Sequence, residues 1–508
     1  MHAGEACLAP TPKPEEPVDR RTFLRAGAAG AAASLAGSLL TATEKAAAEK
    51  APASDPAAAG KEQPTKPNIL WIFGDQHRAQ ALSCAGDPNL STPNLDRLAA
   101  DGVHFTDAIS GFPLCCPFRG SLLTSRYPHL CVPRHEYPLP PGTPTIVQPL
   151  KEAGYHTGYF GKWHLDGWHE RDGRAAMHIV PPERRCGFDV WVGYENNNSQ
   201  YDCWVHGGKG ASAFHYRLPG YETDCLTDLL INYVKDRGKD AAEGRGRPFF
   251  AVLSVQPPHN PYVAPPEYMA RHNAAQMQMR PNVPPVASIQ ERARRDYAGA
   301  CGMIENLDYN VGRIRKALAD AGLAQNTYIL FFSDHGDMHG SHGQFHKTSP
   351  WEEAIRIPFI IAAGPTVSDN NRGRDRTPVN TVDIAPTTLG LCGLPKPAWM
   401  QGTDYSGHFF QGPPRRDDPD SAFIQAVIPT GHADSVDRPW RGIVARDGWK
   451  YVCLEGQPWM LFNLAEDPYE LANHAFNSKF KGQRKRLHDR LAGWIEKTGD
   501  KFELPKLT

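Results

Sequence analysis

Residues 68–75 read NILWIFGD, an apolar run that is too short for a helix and that ends at Gly74, before Asp75. A run of this kind is typical of a β-strand buried on both faces. Residues 249–255 and 328–332 repeat the pattern, and between them an amphipathic helix with apolar residues at steps of three and four ends near Gly322. This alternation predicts an α/β fold with a large, mostly parallel central sheet covered by helices on both sides.

The composition indicates a large folded protein without a global attraction to nucleic acid. Of the 508 residues, 40% are apolar and 22% are charged, which is far from the composition of a disordered chain. The 55 Lys and Arg residues nearly cancel the 56 Asp and Glu residues, and the formal net charge is -1. We therefore expect no nucleic-acid partner, and we expect any anion-binding site to be local.

The N-terminal segment carries paired arginines, Arg20 and Arg21, followed by an uncharged run from Ala26 to Leu40. This run is shorter than the roughly 20 residues that span a bilayer, and no Cys follows it for a lipid anchor. The pattern predicts a twin-arginine signal peptide over residues 1–45, read by the twin-arginine export machinery, and hence a periplasmic or extracellular protein. The alternative is a surface helix that happens to contain two arginines.

Changes in composition predict three further segments. Residues 46–66 are rich in Ala, Lys, Glu and Pro and lack apolar periodicity, which is typical of a flexible linker. The main domain then covers residues 67–416. From residue 417 the segments become shorter, with candidate strands at 440–444 and 449–454 and a final helix at 479–497. We predict a smaller C-terminal α+β subdomain over residues 417–508, with a short antiparallel sheet.

Polar side chains follow three predicted strands at their carboxyl ends. Asp75 and Gln76 follow the first strand, His259 follows the second, and Asp334 with His335 follows the third. Ligands of open α/β sheets bind at this edge, and hard oxygen ligands with one imidazole suit Ca²⁺, Mg²⁺ or Mn²⁺. A single Asp after a strand is ordinarily a turn or cap residue, so the predicted metal site depends on the convergence of the loops.

A cysteine motif lies between the first two of these strands, where residues 115–126 read CCPFRGSLLTSR. Pro117 favours the start of a helix, which would place Cys115 at a helix N-terminus, where unpaired N–H groups and the helix dipole favour an anion. Arg119 adds a permanent positive charge one turn further on. The alternative interpretation of Cys115 is a structural thiol in an apolar segment.

The pattern C-x-P-x-R followed by L-x-T resembles the signature of type I sulfatases, formylglycine-dependent enzymes of the alkaline phosphatase superfamily. The resemblance extends from Pro67 to Asn473, because the other landmarks of the family occur in order along the chain. It implies an alkaline-phosphatase-like α/β/α sandwich that acts as a sulfuric ester hydrolase, with the catalytic domain at 67–416. The landmarks are residues 68–78, 92–105, 161–164, 257–259, 333–337, 347, 352–354, 461–464 and 467–470.

The resemblance also implies a protein modification and a cofactor. A formylglycine-generating enzyme or an anaerobic sulfatase-maturing enzyme would oxidise Cys115 to formylglycine, whose hydrate attacks sulfur. One divalent cation, Ca²⁺ by resemblance, would make the attacking hydroxyl more acidic. The residues implied as its ligands are Asp75, Gln76, Asp334, His335 and the modified Cys115.

Five more residues receive catalytic roles from the resemblance. Arg119 would stabilise the hydrate, and His164 would act as its base. Lys162, His259 and Lys347 would bind the sulfate oxygens, and either His259 or Lys347 would protonate the leaving alcohol. Electrostatic stabilisation of this type is usually the largest catalytic contribution.

Three positions depart from the common family pattern. Phe118 stands where Ser is common, which bears on how the maturing enzyme accepts the segment. Gln76 stands where a second Asp is common, and His335 stands where Asn is frequent, so the cage has less negative charge and more nitrogen. This change moves the preference from Ca²⁺ toward Mg²⁺ or Mn²⁺. It also leaves open an alternative activity, the hydrolysis of phosphonate monoesters or phosphodiesters at the same site.

The substrate is predicted from an aromatic-rich stretch. Residues 163–216 place several Trp and Tyr side chains near Asn196, Asn197 and Asn198. Aromatic faces beside amides suit sugar rings, so we hypothesise a sulfated carbohydrate; the alternative is an aromatic loop packed into the core. The other cysteines are predicted to be buried apolar residues, with one or two disulfides after export as an open alternative. A third functional hypothesis is a catalytically silent binding protein in which Cys115 stays a thiol.

Overall fold

The structure, a computed structural model, describes residues 66–169, 172–362, 372–408, 418–430 and 436–507. The predicted signal peptide, nearly all of the predicted linker and the predicted domain boundary at residues 416 and 417 lie outside the described residues. No helix in these ranges is long and apolar enough to cross a membrane.

Ten strands form one central sheet in the described part of the chain, in the order β10-β2-β9-β8-β1-β7-β3-β4-β5-β6. The five strands in the middle, from β8 to β4, run parallel, and β9 and β5 are antiparallel to their neighbours. The strands are β1 (Asn68–Asp75), β2 (Gly102–Phe105), β3 (His156–Lys162), β4 (Val190–Tyr194), β5 (Trp204–Gly207), β6 (Phe214–Arg217), β7 (Phe249–Pro258), β8 (Thr327–Ser333), β9 (Phe359–Ala362) and β10 (Gly373–Asp375).

Helices cover both faces of this sheet. Successive side chains of a strand point to opposite faces, so the apolar residues of β1 divide between two hydrophobic cores. Ile69, Trp71 and Phe73 of β1 belong to one hydrophobic core, and Leu70 and Ile72 belong to another. The first core includes side chains of α2 and α8, and the second includes side chains of α1, α4 and α6. The helices are α1 (Pro93–Ala100), α2 (Cys115–Thr124), α3 (Val147–Glu152), α4 (Glu222–Ala242), α5 (Pro266–Met269), α6 (Ala287–Asp320), α7 (Glu352–Ile355), α8 (Thr381–Leu391) and α9 (Lys481–Thr498). The predicted α/β/α sandwich is confirmed.

The N-terminus of α1 has the residue types of a capped helix but no side-chain cap. Thr92 precedes the helix and Pro93 is its first residue, but the Thr92 side chain does not cap it. Its Oγ1 instead accepts the Ser83 N–H at 3.0 Å and donates to Asp96 at 3.0 Å. A tertiary contact with the preceding loop has therefore replaced the local cap.

The predicted C-terminal subdomain is confirmed as a small antiparallel sheet with one long helix. Its strands are β11 (Ser421–Ala426), β12 (Trp440–Ala445), β13 (Trp449–Leu454) and β14 (Gln457–Asn463), paired in chain order, and α9 packs against β12 and β13. One face of this sheet shares a hydrophobic core with Ile109, Leu114 and Ile355 of the main domain.

Two polar side chains of the small sheet reach the segment that follows Lys347. Trp440 on β12 donates from Nε1 to the carbonyl oxygen of Thr348 at 3.3 Å. Lys450 on β13, fully buried, donates to the carbonyl oxygen of Pro350 at 2.7 Å and forms ion pairs with Glu352 and Glu470. Burial raises the pKa of Glu470 to about 8, and the Lys450 ammonium opposes this shift.

Replacing this buried lysine is expected to destabilise the protein strongly. Lys450→Met removes the cation that faces two buried carboxyl groups, and breaking a buried pair in this way costs about 3–5 kcal/mol. The midpoint of urea unfolding should fall clearly. Lys485→Met is the matched control, because Lys485 lies exposed on α9 and, among the described residues, forms an ion pair with Asp489 alone, a type of pair worth about 0.3–0.5 kcal/mol. Equal midpoints for the two variants would contradict the role given to Lys450.

Candidate active site

The carboxyl ends of three parallel strands and the start of one helix meet at one edge of the central sheet. β1 ends at Asp75, β3 ends at Lys162, and β8 is followed directly by Asp334 and His335. α2 begins at Cys115, so the sulfur lies at a helix N-terminus, as the sequence predicts. Every residue to which the resemblance gives a role lies at this edge or, like Lys347, within reach of it.

Four buried side chains form a compact cluster. Asp75, Cys115, Asp334 and His335 each offer one ligand atom, and these atoms all lie within 4.8 Å of one another. The Cys115 sulfur lies 3.3 Å from His335 Nε2 and 3.5 Å from Asp75 Oδ1. Each of the four side chains is at most 1% exposed. Predicted ligands from three separate loops have therefore come together within one coordination sphere.

The donor atoms of this cluster fit a hard divalent cation. Gln76 donates from Nε2 to Asp337 at 2.6 Å, which leaves its buried Oε1 with no hydrogen-bond partner among the described residues. Asp334 accepts the N–H groups of Gln76 and His335 on Oδ1, while its buried Oδ2 lacks a hydrogen-bond partner in the same ranges. Unsatisfied buried oxygens cost free energy unless a cation occupies the space between them.

His335 is held in the orientation that a metal ligand needs. Its Nδ1–H donates to the carbonyl oxygen of Gly336 at 3.0 Å, which directs the Nε2 lone pair toward Asp75 and Cys115. Burial lowers the pKa of His335 and favours the neutral imidazole. A backbone contact that fixes the tautomer is a common feature of metal-bound histidine.

The two aspartates carry opposite pKa shifts. Burial acts to raise the pKa of Asp75, but Lys162 and Lys347 outweigh it and hold that pKa well below its usual range. Burial and the negative charge of Asp75 raise the pKa of Asp334 to about 7. The site thus holds one firmly ionised carboxylate and a second one that requires another positive charge to ionise at neutral pH.

Three cations surround the cluster. Arg119 donates from Nη1 to the Lys162 carbonyl oxygen at 2.7 Å and to Ser254 Oγ at 2.8 Å, and its Nη2 lies 3.3 Å from Asp75 Oδ2. Lys162 Nζ lies 2.6 Å from the same oxygen. Lys347 Nζ lies 3.1 Å from the Cys115 sulfur. The cations therefore surround the position where a negatively charged ester group would meet residue 115.

His259 extends this arrangement toward solvent. Its Nδ1–H donates to the Asn260 carbonyl oxygen at 2.7 Å, and its Nε2 accepts a hydrogen bond from Lys347 Nζ at 2.9 Å. Burial, followed by the charge of Lys347, lowers the pKa of His259 well below its usual range. His259 and Lys347 therefore form a hydrogen-bonded pair beside the sulfur atom of Cys115.

His164 lies behind the cluster and is 2% exposed. Neither of its ring nitrogens has a hydrogen-bond partner in the described part of the chain. Burial and the charge of Lys162 lower its pKa well below the usual value, so the imidazole is neutral and able to accept a proton. Its backbone φ is 54°, a left-handed conformation that needs support from the surrounding structure.

Glu195 supplies that support, and the sequence contains no motif that identifies it. Its carboxylate accepts the backbone N–H groups of Leu165, Asp166 and Gly167, the three residues after His164. Glu195 is fully buried, and burial together with Asp166 raises its pKa to about 7. Ser254 and Asp337, which orient Arg119 and Gln76, likewise act through contacts that only the fold creates.

The raised pKa of Glu195 predicts a pH-dependent contribution to stability. The folded protein binds this proton up to about pH 7, whereas the unfolded chain releases it near pH 4.5, so stability falls as pH rises between these values. Glu195→Gln lacks this dependence. The unfolding free energy of the wild type should therefore fall, relative to that of the variant, by up to about 3 kcal/mol from pH 5 to pH 8. Urea titrations at the two pH values test this expectation; a constant difference would contradict it.

The aromatic-rich stretch divides between the two interpretations given to it. Trp163, Trp191 and Tyr194 are buried in the hydrophobic cores. Trp168 stacks on His178 with ring centroids 4.4 Å apart, and Tyr201 is 40% exposed. The ten described cysteines are free thiols.

Comparison with known proteins identifies the family. The sulfatase family model matches residues 67–394, and a model described as N-sulphoglucosamine sulphohydrolase, C-terminal, matches residues 340–497. The chain therefore belongs to the sulfatase family. It has the alkaline-phosphatase-like α/β fold and is a sulfuric ester hydrolase.

Individual relatives agree with this assignment. An ulvan-active sulfatase of Formosa agariphila is 32% identical over 459 residues, which cover 87% of this chain and 84% of the relative. An endo-4-O-sulfatase of Bacteroides thetaiotaomicron is 30% identical over 397 residues, covering 69% of this chain and 74% of the relative. The crystal structure of the yidJ protein from Bacteroides fragilis superimposes with a TM-score of 0.77 at 28% identity and covers 88% of this chain and 99% of that one.

Proposed function

We propose that this protein is an exported sulfatase that hydrolyses sulfate esters of carbohydrates by means of formylglycine at position 115 and one divalent cation. The observation that carries the proposal is the position of the Cys115 sulfur, 3.1 Å from Lys347 Nζ, 3.3 Å from His335 Nε2 and 3.5 Å from Asp75 Oδ1. A structural thiol has no need of three buried polar partners. Export rests on the paired arginines at residues 20 and 21.

The cation would be held by the oxygens of Asp75, Gln76 and Asp334, by His335 and by residue 115. When bound, it supplies positive charge and Lewis acidity at the reacting oxygen. Its positive charge would also stabilise the ionised form of Asp334, which burial and the negative charge of Asp75 disfavour. Three oxygens and one nitrogen suit Ca²⁺, Mg²⁺ or Mn²⁺.

The protein side chains divide the remaining work. Lys162, Lys347 and His259 surround residue 115 and would bind the sulfate oxygens. One hydroxyl of the formylglycine hydrate would release its proton to solvent and form the bond to sulfur. As the bond between sulfur and the alcohol oxygen breaks, the His259–Lys347 pair donates a proton to the departing alcohol. Arg119 is held by Ser254 and by the Lys162 carbonyl, and its bond to Asp75 fixes the position of that carboxylate relative to the N-terminus of α2.

The second half of the reaction uses the other hydroxyl of the sulfated hydrate. His164, which is neutral and has no hydrogen-bond partner among the described residues, would take the proton of that hydroxyl. The carbon–oxygen bond to sulfate then breaks, sulfate leaves and the aldehyde is restored. This step needs two hydroxyls on one carbon, which explains the requirement for a modified cysteine rather than a serine.

The carbohydrate half of the proposal rests on two supports. Two relatives have names that specify ulvan or a 4-O-sulfate as their target. In this chain, Trp168 and Tyr201 offer incompletely buried rings in the stretch that follows His164. Aromatic faces of this kind suit the apolar faces of sugar rings.

The test is a substrate panel with protein made in a host that has the maturing enzyme. The panel contains sulfated mono- and oligosaccharides, an aryl sulfate, choline sulfate, a phosphonate monoester and a phosphodiester, each at saturating Ca²⁺ or Mg²⁺, with the Cys115→Ala protein as the blank. We expect sulfate release to be fastest from a sulfated saccharide. Activity on aryl sulfates alone would overturn the carbohydrate assignment, and faster cleavage of the phosphonate or phosphodiester would favour the alternative hydrolase. Cell fractionation with Arg20→Lys/Arg21→Lys tests export.

A further inference from the structure

A second group of metal-binding side chains lies next to the catalytic cluster. Cys116, His135 and His164 each offer one ligand atom, and these atoms lie within 4.8 Å of one another. Cys116 follows the nucleophile in α2, His135 belongs to the loop after that helix, and His164 follows β3. The three residues thus come from different segments, and the hydrolytic reaction proposed above uses only His164.

The geometry of this group is close to that of a tetrahedral metal site. With metal–sulfur and metal–nitrogen bonds of about 2.3 Å and 2.0–2.1 Å, the sulfur and nitrogen ligands of such a site lie about 3.5 Å apart. The Cys116 sulfur lies 4.0 Å from His135 Nδ1, so the pair must close by roughly half an ångström. The ring centroids of His135 and His164 are 5.4 Å apart. Small side-chain rotations therefore suffice to complete the site.

His164 gives an independent indication of a ligand. Its imidazole is 2% exposed, and both of its ring nitrogens lack hydrogen-bond partners within the described ranges. A buried polar group in this state costs about 1–3 kcal/mol. A neutral imidazole has one nitrogen lone pair that can take either a proton or a metal ion, so a metal ion bound there would remove the base that hydrolysis requires.

Glu136 provides second contacts to two of the ligands. Its backbone N–H donates to the Cys116 sulfur at 3.3 Å, and its Oε1 lies 3.8 Å from His135 Nε2, the nitrogen that faces away from the sulfur. Carboxylates in this position orient metal-bound histidines, and N–H groups stabilise metal-bound thiolates. The side chain of His135 is 27% exposed, which gives an ion a path from solvent.

We propose that Cys116, His135 and His164 form a second metal site, selective for Zn²⁺ and related d-block cations, and that its occupation inhibits hydrolysis by engaging His164. One thiolate with two imidazoles is a ligand set for zinc, whereas the oxygen-rich cluster around Asp75 suits harder cations. The two sites therefore select different metals although residues 115 and 116 are adjacent in the chain. Metal binding is independent of the proposed function, and the inhibition rests on it.

Cobalt spectroscopy tests the site without any turnover, because a thiolate–Co²⁺ bond gives a near-ultraviolet charge-transfer band. Co²⁺ is titrated into the full chain carrying Cys115→Ala, which removes the neighbouring thiol, after saturation with Ca²⁺. We expect one equivalent of Co²⁺ to give the band. The band should disappear with the additional change Cys116→Ser, and His135→Ala should weaken binding at least about tenfold. A band of equal strength with Cys116→Ser, or no band in the parent, would overturn the proposal.

The inhibitory consequence is tested on mature enzyme with Cys116→Ser, a change that keeps an acceptor for the Glu136 N–H. Uninhibited activity should equal that of the wild type, and the Zn²⁺ concentration for half inhibition should rise at least about tenfold. Equal inhibition of both proteins would overturn the role of the site as an inhibitory one. A protein that shows the cobalt band but hydrolyses none of the panel substrates would contradict the proposed function and leave the metal site standing.

Discussion

Cys115→Ser is expected to cleave at most one equivalent of sulfate ester and then stop. The serine hydroxyl would occupy the place of the Cys115 sulfur, beside Lys347 and Asp75, and is able to take the sulfuryl group from the substrate. It lacks the second hydroxyl whose deprotonation expels sulfate, so the covalent ester should persist. Multiple-turnover activity should fall by about 10⁶-fold, the effect of removing a nucleophile in a well-studied hydrolase.

Two measurements and two control variants make this result decisive. Rapid-quench kinetics with an aryl sulfate should show a burst of alcohol of no more than one equivalent, and the mass of the peptide containing residue 115 should increase by one sulfuryl group (SO3). Cys115→Ala should show neither a burst nor turnover. Cys116→Ser is the matched control, since it changes the adjacent thiol and should retain full activity. Steady turnover by Cys115→Ser, or an unmodified thiol at residue 115 in active wild-type protein, would contradict the proposed mechanism.

The second large effect is expected from Asp334→Asn, which should abolish cation binding while stabilising the cation-free protein. Burial and Asp75 raise the pKa of Asp334 to about 7, so its charged form opposes folding, and this effect grows as pH rises toward 7. An amide in its place removes that charge and keeps an oxygen for the N–H groups of Gln76 and His335. At pH 8 in chelator, we expect the variant to be more stable than the wild type by on the order of 2–4 kcal/mol.

Cation addition should offset this difference in stability. Calorimetry of the wild type should show a rising Tm with Ca²⁺ or Mg²⁺, equivalent to about 2.7 kcal/mol at a hundred times Kd, and the variant should respond little. The hydrolytic activity of Asp334→Asn should be about 10³-fold or more below that of the wild type. Asp337→Asn is the comparison variant, because Asp337 touches Gln76 and not the cluster itself. If Asp334→Asn bound the cation as tightly as the wild type, the site would not be the one described.

The parts of the site that the sequence predicts well are those with a local cause. Asp75 and Asp334 follow apolar strands directly, and parallel strands bring their carboxyl ends to one edge whatever their order in the sheet. Cys115 begins a helix of which Pro117 is the third residue, so the proline lies in the first turn, where its missing N–H group costs no helix hydrogen bond. The family pattern then attaches chemical roles to residues such as Lys162 and Lys347, whose neighbours in the chain are uninformative.

Other parts depend on contacts between distant segments, and no local pattern predicts them. Glu195, the residue directly after β4, supports the His164 loop from about thirty positions away in the chain. Ser254 is one of many small polar residues in strands, and only the pairing of β3 with β7 places it against Arg119. The failure of Thr92 to cap α1 has the same origin, because its hydroxyl accepts a hydrogen bond from the Ser83 N–H of the preceding loop.

The bonds from the small sheet to residues 348 and 350 have a consequence for protein engineering. Trp440 and Lys450 hold the backbone directly after Lys347, so the lysine that faces the reacting group is positioned from both halves of the chain. A truncated protein ending before β11 would lose that brace. Chimeras that join the small sheet of one sulfatase to the large sheet of another should be active only when residues 347–356 come from the donor of the small sheet. The segment and the small sheet therefore have to be exchanged together.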